Sequence, residues 1–344
     1  MIGIAPRLLA WFDLHGRHDL PWQHPRSAYR VWLSETMLQQ TQVAVVIPYF
    51  QRFIAALPDI ASLASAKTDD VFALWSGLGY YSRARRLQEA ARICMHDHAG
   101  ELPRDVDALL ALPGIGRSTA GAILALAHGL PYPILDGNVR RVLCRHRDVH
   151  GWPGSAATQK ELWEIAAQQL PNARVADYTQ ALMDLGATVC TPAKPDCPAC
   201  PLRRDCIALR ENAIARLPEK KPLKALPERE VFMLVVRNRD GRTLLQRRPP
   251  VGVWASLWSL PEATSIEDAA RWLQHHALAE SFEMLPSIRH TFSHFRLRIH
   301  PLLWRDARPR DAIGDNAVLR WQPSDRLTEI ALPAPVRKLL EELS

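Results

Sequence analysis

Two groups of residues in this chain have the types and spacing to do chemistry. The first runs Leu112-Pro-Gly-Ile-Gly-Arg-Ser-Thr-Ala-Gly-Ala-Ile, continues through an apolar stretch and reaches Ile134-Leu-Asp-Gly-Asn, so one carboxylate, Asp136, follows a glycine turn at a fixed distance. Pro113, Gly114 and Gly116 interrupt the preceding helical pattern, and glycine reaches backbone angles that other residues adopt only with strain. Amides exposed by such a turn, at the start of a helix predicted over Ser118 to Ala127, form a seat for a phosphate. The same turn is also an ordinary link between helices, and Asp136 also reads as the N-cap of a helix opening at Val139. The second group is Cys190, Cys197, Cys200 and Cys206, spaced C-x6-C-x2-C-x5-C just after a helix predicted over Ala176 to Val189. Four thiolates suit zinc or an iron–sulfur cluster, and the spacing alone leaves both open. Lys194, Arg203 and Arg204 lie in the same loop, where a metal would hold them toward a polyanionic partner.

The elements that position these groups follow from periodicity. The 344 residues point to two domains, each long enough for a sizeable core. From residue 1 to about 212 the apolar spacing is helical, as in Leu8, Leu9, Phe12 and in Leu87, Ala90, Ala91, Cys94, which predicts an all-α domain over 1–214. Prolines and charges gather over 215–229, which reads as a linker. Beyond it, strand-like runs at Val231 to Val236, Thr243 to Arg247 and His290 to Trp304 alternate with helices at about 265–279 and 334–342, so 230–344 reads as a smaller α+β domain. A net charge of +7 favours a polyanionic partner without deciding for one. No apolar run approaches bilayer length and no leader-like segment opens the chain, so the expectation is a cytoplasmic protein, nucleoid-associated if bacterial, with no membrane contact. In a reducing compartment the cysteine loop then argues for metal over disulfides.

Over residues 20 to 210, the glycine turn, Asp136 and the cysteine loop resemble the helix-hairpin-helix DNA glycosylases of the endonuclease III superfamily. Leu20-Pro-Trp, Trp32-Leu-Ser-Glu-Thr-Met-Leu-Gln-Gln-Thr-Gln, Gly77-Leu-Gly-Tyr-Tyr-Ser-Arg-Ala-Arg and Phe292-Ser-His are similar to segments of its adenine-excising branch. The resemblance implies one 4Fe–4S cluster on the four cysteines, and as partner double-stranded DNA carrying adenine opposite 8-oxoguanine or guanine, bound by a monomer. Cleaving a purine from deoxyribose needs a proton on the departing base and negative charge beside the sugar, the logic of paired carboxyls in glycoside hydrolysis. Glu35 and Asp136 fit the two roles. Glu35 lies in the uncharged stretch Val31 to Leu38, where helical packing would bury it and raise its pKa, although a surface helix glutamate is the ordinary case. The resemblance gives Glu35 protonation of adenine at N7 and Asp136 stabilisation of the sugar cation, with Asn138 holding that carboxylate.

The same resemblance places Gly114, Gly116 and Ser118 on the DNA, Gln40 and Tyr80 in the gap left by the flipped base, Leu78 and Thr41 near the opposing base, and Trp22 and Gln180 around adenine. Tyr80 and Tyr81 also read as core aromatics, but Gly77 and Gly79 argue for a tight turn that presents Tyr80 outward, and Arg83, Arg85 and Arg86 read as phosphate holders or a solvated helix face. Lyase-competent relatives carry a lysine where Ser118 stands, so the expectation is hydrolysis by water without strand cleavage. A pyrimidine glycosylase-lyase and a non-catalytic DNA-binding scaffold are the alternatives. Residues 230–344 resemble a Nudix-like domain in which Phe292, Ser293 and His294 contact 8-oxoguanine. The scattered acids Glu262, Glu267 and Asp268 replace the paired glutamates of its hydrolases, which implies binding without hydrolysis.

Overall fold

A computed structural model describes residues 3–222, 225–276, 282–307 and 318–343. The chain forms two compact units, Met1–Ala66 with Arg85–Leu223, and Lys67–Ala84 with Lys224–Ser344. Through residue 210 the structure is helical: α1 (Ala5–His15), α2 (Ala28–Leu38), α3 (Val43–Ala56), α4 (Ile60–Ser65), α5 (Thr68–Trp75), α6 (Ser82–Asp97), α7 (Val106–Ala111), α8 (Arg117–Ala122), α9 (Gly137–Arg147), α10 (Ala156–Gln168), α11 (Val175–Asp184) and α12 (Ile207–Arg210). Side-chain caps start several of them. Ser27 accepts from the Arg30 amide at α2, and Ser155 accepts from the Thr158 amide at α10, bonds that each contribute about 1 kcal/mol.

Two helices expected to run unbroken instead widen. The Ser118–Ala127 segment is α8 followed by a π-helical turn at Ile123–Ala127, and the Ala176–Val189 segment is α11 followed by another at Leu185–Val189. Apolar periodicity does not register an inserted residue within one or two turns, and such bulges gather at functional sites. Gly186 in the second bulge is required by packing: a Cβ there would lie 2.6 Å from the Cβ of Asn138.

The second unit holds an eight-stranded mixed sheet made of β1 (Glu228–Asn238), β2 (Thr243–Arg247), β3 (Trp258–Ser259), β4 (Glu262–Ala263), β5 (Glu283–Met284), β6 (Ile288–Thr291), β7 (Arg296–Ala307) and β8 (Leu319–Gln322). Its spine is the parallel pair β1 and β7, with Val231 opposite Ile299 and Val235 opposite Leu303. Met233 and Val235 pack on one face with Val336, Leu339 and Leu340 of α14 (Ala334–Glu342), while Leu234 and Val236 pack on the other with Ala269 and Leu273 of α13 (Ile266–His275). Burial of both faces is why β1 reads as a continuous apolar run and not as an alternating one. The expected single strand His290 to Trp304 is corrected to two: β6 and β7 pair antiparallel, Thr291 opposite Arg296, and the Phe292 amide closes the hairpin on the Phe295 carbonyl at 2.9 Å. No glycine, proline or asparagine marks that reversal, so local pattern left Phe292, Ser293 and His294 as either a tight turn or a strand start. Residues 277–279 of the expected helix and 223–224 of the expected linker lie outside the described residues.

Candidate active site

The first unit contains a cleft of about 860 Å³ lined by Trp22, Glu35, Gln40, Thr41, Ser118, Asp136, Asn138 and Gln180, eight positions singled out by sequence, together with Arg17 and Arg141. They arrive from several separate elements: Glu35 from α2, Gln40 and Thr41 from the turn after it, Ser118 from α8, Asp136 and Asn138 from the start of α9, and Gln180 from α11. Glu35 lies on the third turn of α2, whose buried Trp32, Leu33 and Met37 anchor the helix in the core. With most of its water removed, the Glu35 carboxyl is raised by burial to about 8, and the charge of Asp136 adds to the rise. It is therefore an acid at neutral pH.

Asp136 is the N-cap of α9, and both readings of it meet in one geometry. Its Oδ1 accepts the Val139 amide at 2.7 Å and its Oδ2 accepts Asn138 Nδ2 at 3.2 Å. Burial moves this carboxyl up, opposed by those two residues' bonds and by the Arg141 charge. Arg141 Nη2 in turn donates to Asn138 Oδ1 at 2.8 Å and to the Gly186 carbonyl at 2.6 Å. Ser118 faces no reactive partner in the bonds it makes: its Oγ accepts the Leu135 amide at 3.0 Å, which ties down the backbone just before Asp136. Gly114, at φ +84°, forms the preceding turn with Gly116 as the N-cap of α8, and neither lines the cleft.

Trp22 is buried against Phe50, edge to face at 5.5 Å between ring centres. Gln180 is also buried, and its Nε2 donates to Asp184 Oδ1 at 2.8 Å. Asp184 is itself paired with Arg17. Arg17, Arg141 and Asp184 were not singled out by sequence, although Asp184 stands one helical turn from Gln180 and Arg141 nearly one turn from Asn138, the spacing at which helix side chains meet.

Leu78 and Tyr80 belong to the second unit, on the loop after α5. Tyr80 takes φ +48° and is 55% exposed, so it is not a core aromatic, whereas Leu78 and Tyr81 pack inward, Tyr81 edge to face on Phe72. Arg83 is corrected from the expected phosphate holders. It is buried, donates to the Leu78 and Gly79 carbonyls at 3.1 and 3.3 Å, and lies over the Trp75 ring, so it braces the loop from inside. Ser293 and His294 are exposed at the β6–β7 hairpin tip, and Phe292 is half-buried on Trp254 and Phe295. Of the acids in that unit, Glu262 pairs with Arg248, and Asp268 accepts from the Thr264 amide and hydroxyl.

Cys190, Cys197, Cys200 and Cys206 line one small cavity of their own, apart from the carboxyl cleft. Burial raises the Cys197, Cys200 and Cys206 thiols, Cys200 to about 11, and each feels the charge of its neighbours. Thiols crowded in this way become thiolates together only when a cation neutralises them, which fits a metal group. Among the described residues no group of three or more His, Cys, Asp or Glu is arranged to hold a single ion.

Residues 33–168 match the family described as HhH-GPD superfamily base excision DNA repair protein, and residues 232–342 match the NUDIX domain family. The adenine DNA glycosylase of Buchnera aphidicola is 39% identical over 335 residues, spanning 97% of this chain and 95% of that one. The human adenine DNA glycosylase is 34% identical, spanning 96% of this chain and 72% of that one. The chain belongs to the adenine DNA glycosylase family. A solved thermostable thymine-DNA glycosylase superposes with a TM-score of 0.54 at 28% identity, over 60% of this chain and 95% of that one, so the helical part of this adenine DNA glycosylase family member shares a wider glycosylase fold. Its carboxyl cleft is accordingly the candidate catalytic centre of a DNA N-glycosylase.

Proposed function

We propose that this DNA glycosylase removes adenine standing opposite 8-oxoguanine or guanine in duplex DNA, by hydrolysis and without cutting the strand. The observation that carries the reading is one cleft that holds a carboxyl kept protonated to about pH 8, Glu35, together with a second carboxyl, Asp136, set by a helix N-terminus and Asn138. Glu35 donates its proton to N7 of the departing adenine. Asp136 supplies negative charge as the sugar becomes an oxocarbenium ion, and water completes the displacement.

Extruding the nucleotide costs about a few kcal/mol. Gln40 and the exposed Tyr80 fill the space it leaves, Thr41 and Leu78 stand near the opposing base, and Trp22 and Gln180 receive the adenine. The turn at Gly114 and Gly116, with Ser118 behind it, seats a DNA phosphate. The exposed Ser293 and His294 with Phe292 read the oxidised guanine. Ser118 carries no amine, so no Schiff base forms at that place, which separates this reading from a pyrimidine glycosylase-lyase.

The four cysteines would hold one 4Fe–4S cluster, since a cavity ringed by four thiols offers one to each iron. When bound, the cluster would cross-link the loop, and the loop would then present Lys194, Arg203 and Arg204 to the backbone. The enzyme works as a monomer on chromosomal DNA in the cytoplasm, associated with the nucleoid if the source is bacterial. Among the described residues no helix is long and apolar enough to cross a membrane. Excision measured on duplexes with adenine opposite 8-oxoguanine, guanine, cytosine and thymine tests the reading. The first two are expected to be fast, and equal rates on all four would remove the mispair specificity.

A further inference from the structure

The Arg17–Asp184 pair, with Asp184 buried and Arg17 on the cleft wall, does more than join α11 to the chain before α2. Asp184 is fully buried, and four donors surround its carboxylate: Arg17 Nε at 2.9 Å, Arg17 Nη2 at 2.6 Å and Gln180 Nε2 at 2.8 Å on Oδ1, and the Arg17 amide at 2.8 Å on Oδ2. An ion-paired carboxylate only accepts hydrogen bonds. The Gln180 amide therefore has one allowed orientation, with its NH2 on Asp184, which leaves the carbonyl oxygen as the acceptor this cleft-lining side chain has to offer.

We infer that Asp184 and Arg17 are positioning residues that set base specificity by fixing the Gln180 amide as an acceptor toward the extruded base. This rests on the reading of the cleft as a base pocket. A protonated Glu35 is a donor, so the pocket offers one donor and one acceptor. The major-groove edge of a 6-aminopurine carries the complement, an N7 acceptor and an amino donor, whereas a 6-carbonyl purine carries two acceptors. A flipped Gln180 amide would reverse the preference at the 6-position. The carboxylate that forbids the flip is the discriminating element, although it touches no base itself.

Binding is measured for duplexes with a non-cleavable 2′-fluoro nucleotide opposite 8-oxoguanine, its base adenine, unsubstituted purine or hypoxanthine, so that differences in bond lability do not enter. The intact protein is expected to bind in the order adenine, purine, hypoxanthine, with hypoxanthine at least tenfold weaker than purine because two carbonyl oxygens oppose each other. Hypoxanthine binding as well as purine, or better, overturns the inference. In Arg17→Met/Asp184→Leu, an apolar pair of similar shape that leaves no unpaired charge, Gln180 is released and the purine-to-hypoxanthine ratio is expected to fall to within about twofold of one. A variant with the parental melting profile that retains the parental ratio also overturns it. If the double variant does not fold, the order measured on the intact protein decides alone. Failure of the intact protein to release adenine from the cleavable duplex would instead overturn the functional reading, a separate outcome.

Discussion

Replacing Glu35 by glutamine removes an acidic proton and changes the shape of the side chain little. With a carboxyl at about 8, Glu35 is about nine-tenths protonated at pH 7, against about 0.3% for a carboxyl at its ordinary 4.5. A positioned general acid contributes about 10²- to 10⁴-fold, or about 3–5 kcal/mol of barrier, so Glu35→Gln is expected to lower excision by at least about 100-fold. The assay is single-turnover release of adenine opposite 8-oxoguanine with enzyme in excess, alongside DNA affinity by anisotropy, which is expected to stay within a few fold. The parental rate is expected to be level below neutral pH and to fall about tenfold per pH unit above about 8, because the active form is the protonated one. Stability falls in the same direction but in a lower window. Between about 4.5 and 8 the folded chain holds a proton on Glu35 that the unfolded chain has lost, so stability falls as pH rises through that window. Glu35→Gln lacks this loss and is expected to melt above the parent at pH 8.5, the two converging near pH 5. A glutamine variant that binds the mispair and excises within threefold of the parent would refute the acid role and the reasoning from burial to chemistry.

Asp136→Asn separates capping from catalysis: asparagine caps as well as aspartate, so melting should change by under about 1 kcal/mol, while excision drops by about 100-fold or more as the charge beside the sugar is lost. Borohydride treatment during turnover should trap no covalent adduct with the parent, and recovery of one that depends on a single lysine would overturn the hydrolytic reading. Cys200→Ser should yield protein with less bound iron and a lower melting temperature; a colourless, iron-free preparation of the intact chain with full activity would refute the cluster. Arg83→Ala should leave the Leu78 and Gly79 carbonyls without their donor, costing about 1–3 kcal/mol. It should lower mispair affinity through the Tyr80 loop without altering the salt dependence of binding, whereas a loss of about one unit of salt slope would restore it as a phosphate contact.

Much of the architecture was legible because it is local. Helical periodicity ran from residue 1 to about 212 and gave way to strand pattern beyond the proline-rich segment, matching the observed helices and sheet. The β6–β7 reversal was half legible: Phe292 to His294 read as a tight turn or a strand start, and hydrogen bonding across the hairpin decides for the turn. Arg83 shows a second limit. Charge spacing placed it with Arg85 and Arg86 on one basic run, but only packing turns its guanidinium inward onto Trp75 and two carbonyls.

What the sequence determined by itself was the inventory: an acidic residue in an otherwise uncharged stretch, Val31 to Leu38, a glycine turn with Asp136 beyond it, a serine at 118 and four cysteines in one loop. Residue type and spacing along one chain are enough for these, because each concerns what a group can do. Tertiary structure decided what state those groups are in. Burial beside Asp136 makes Glu35 an acid near neutral pH, close contact at Gly186 sets Asn138 against Asp136, and Asp184, never suggestive as a single residue, becomes the group that orients Gln180. Desolvation and hydrogen-bond orientation depend on neighbours distant in sequence, so they exist only once the chain has folded.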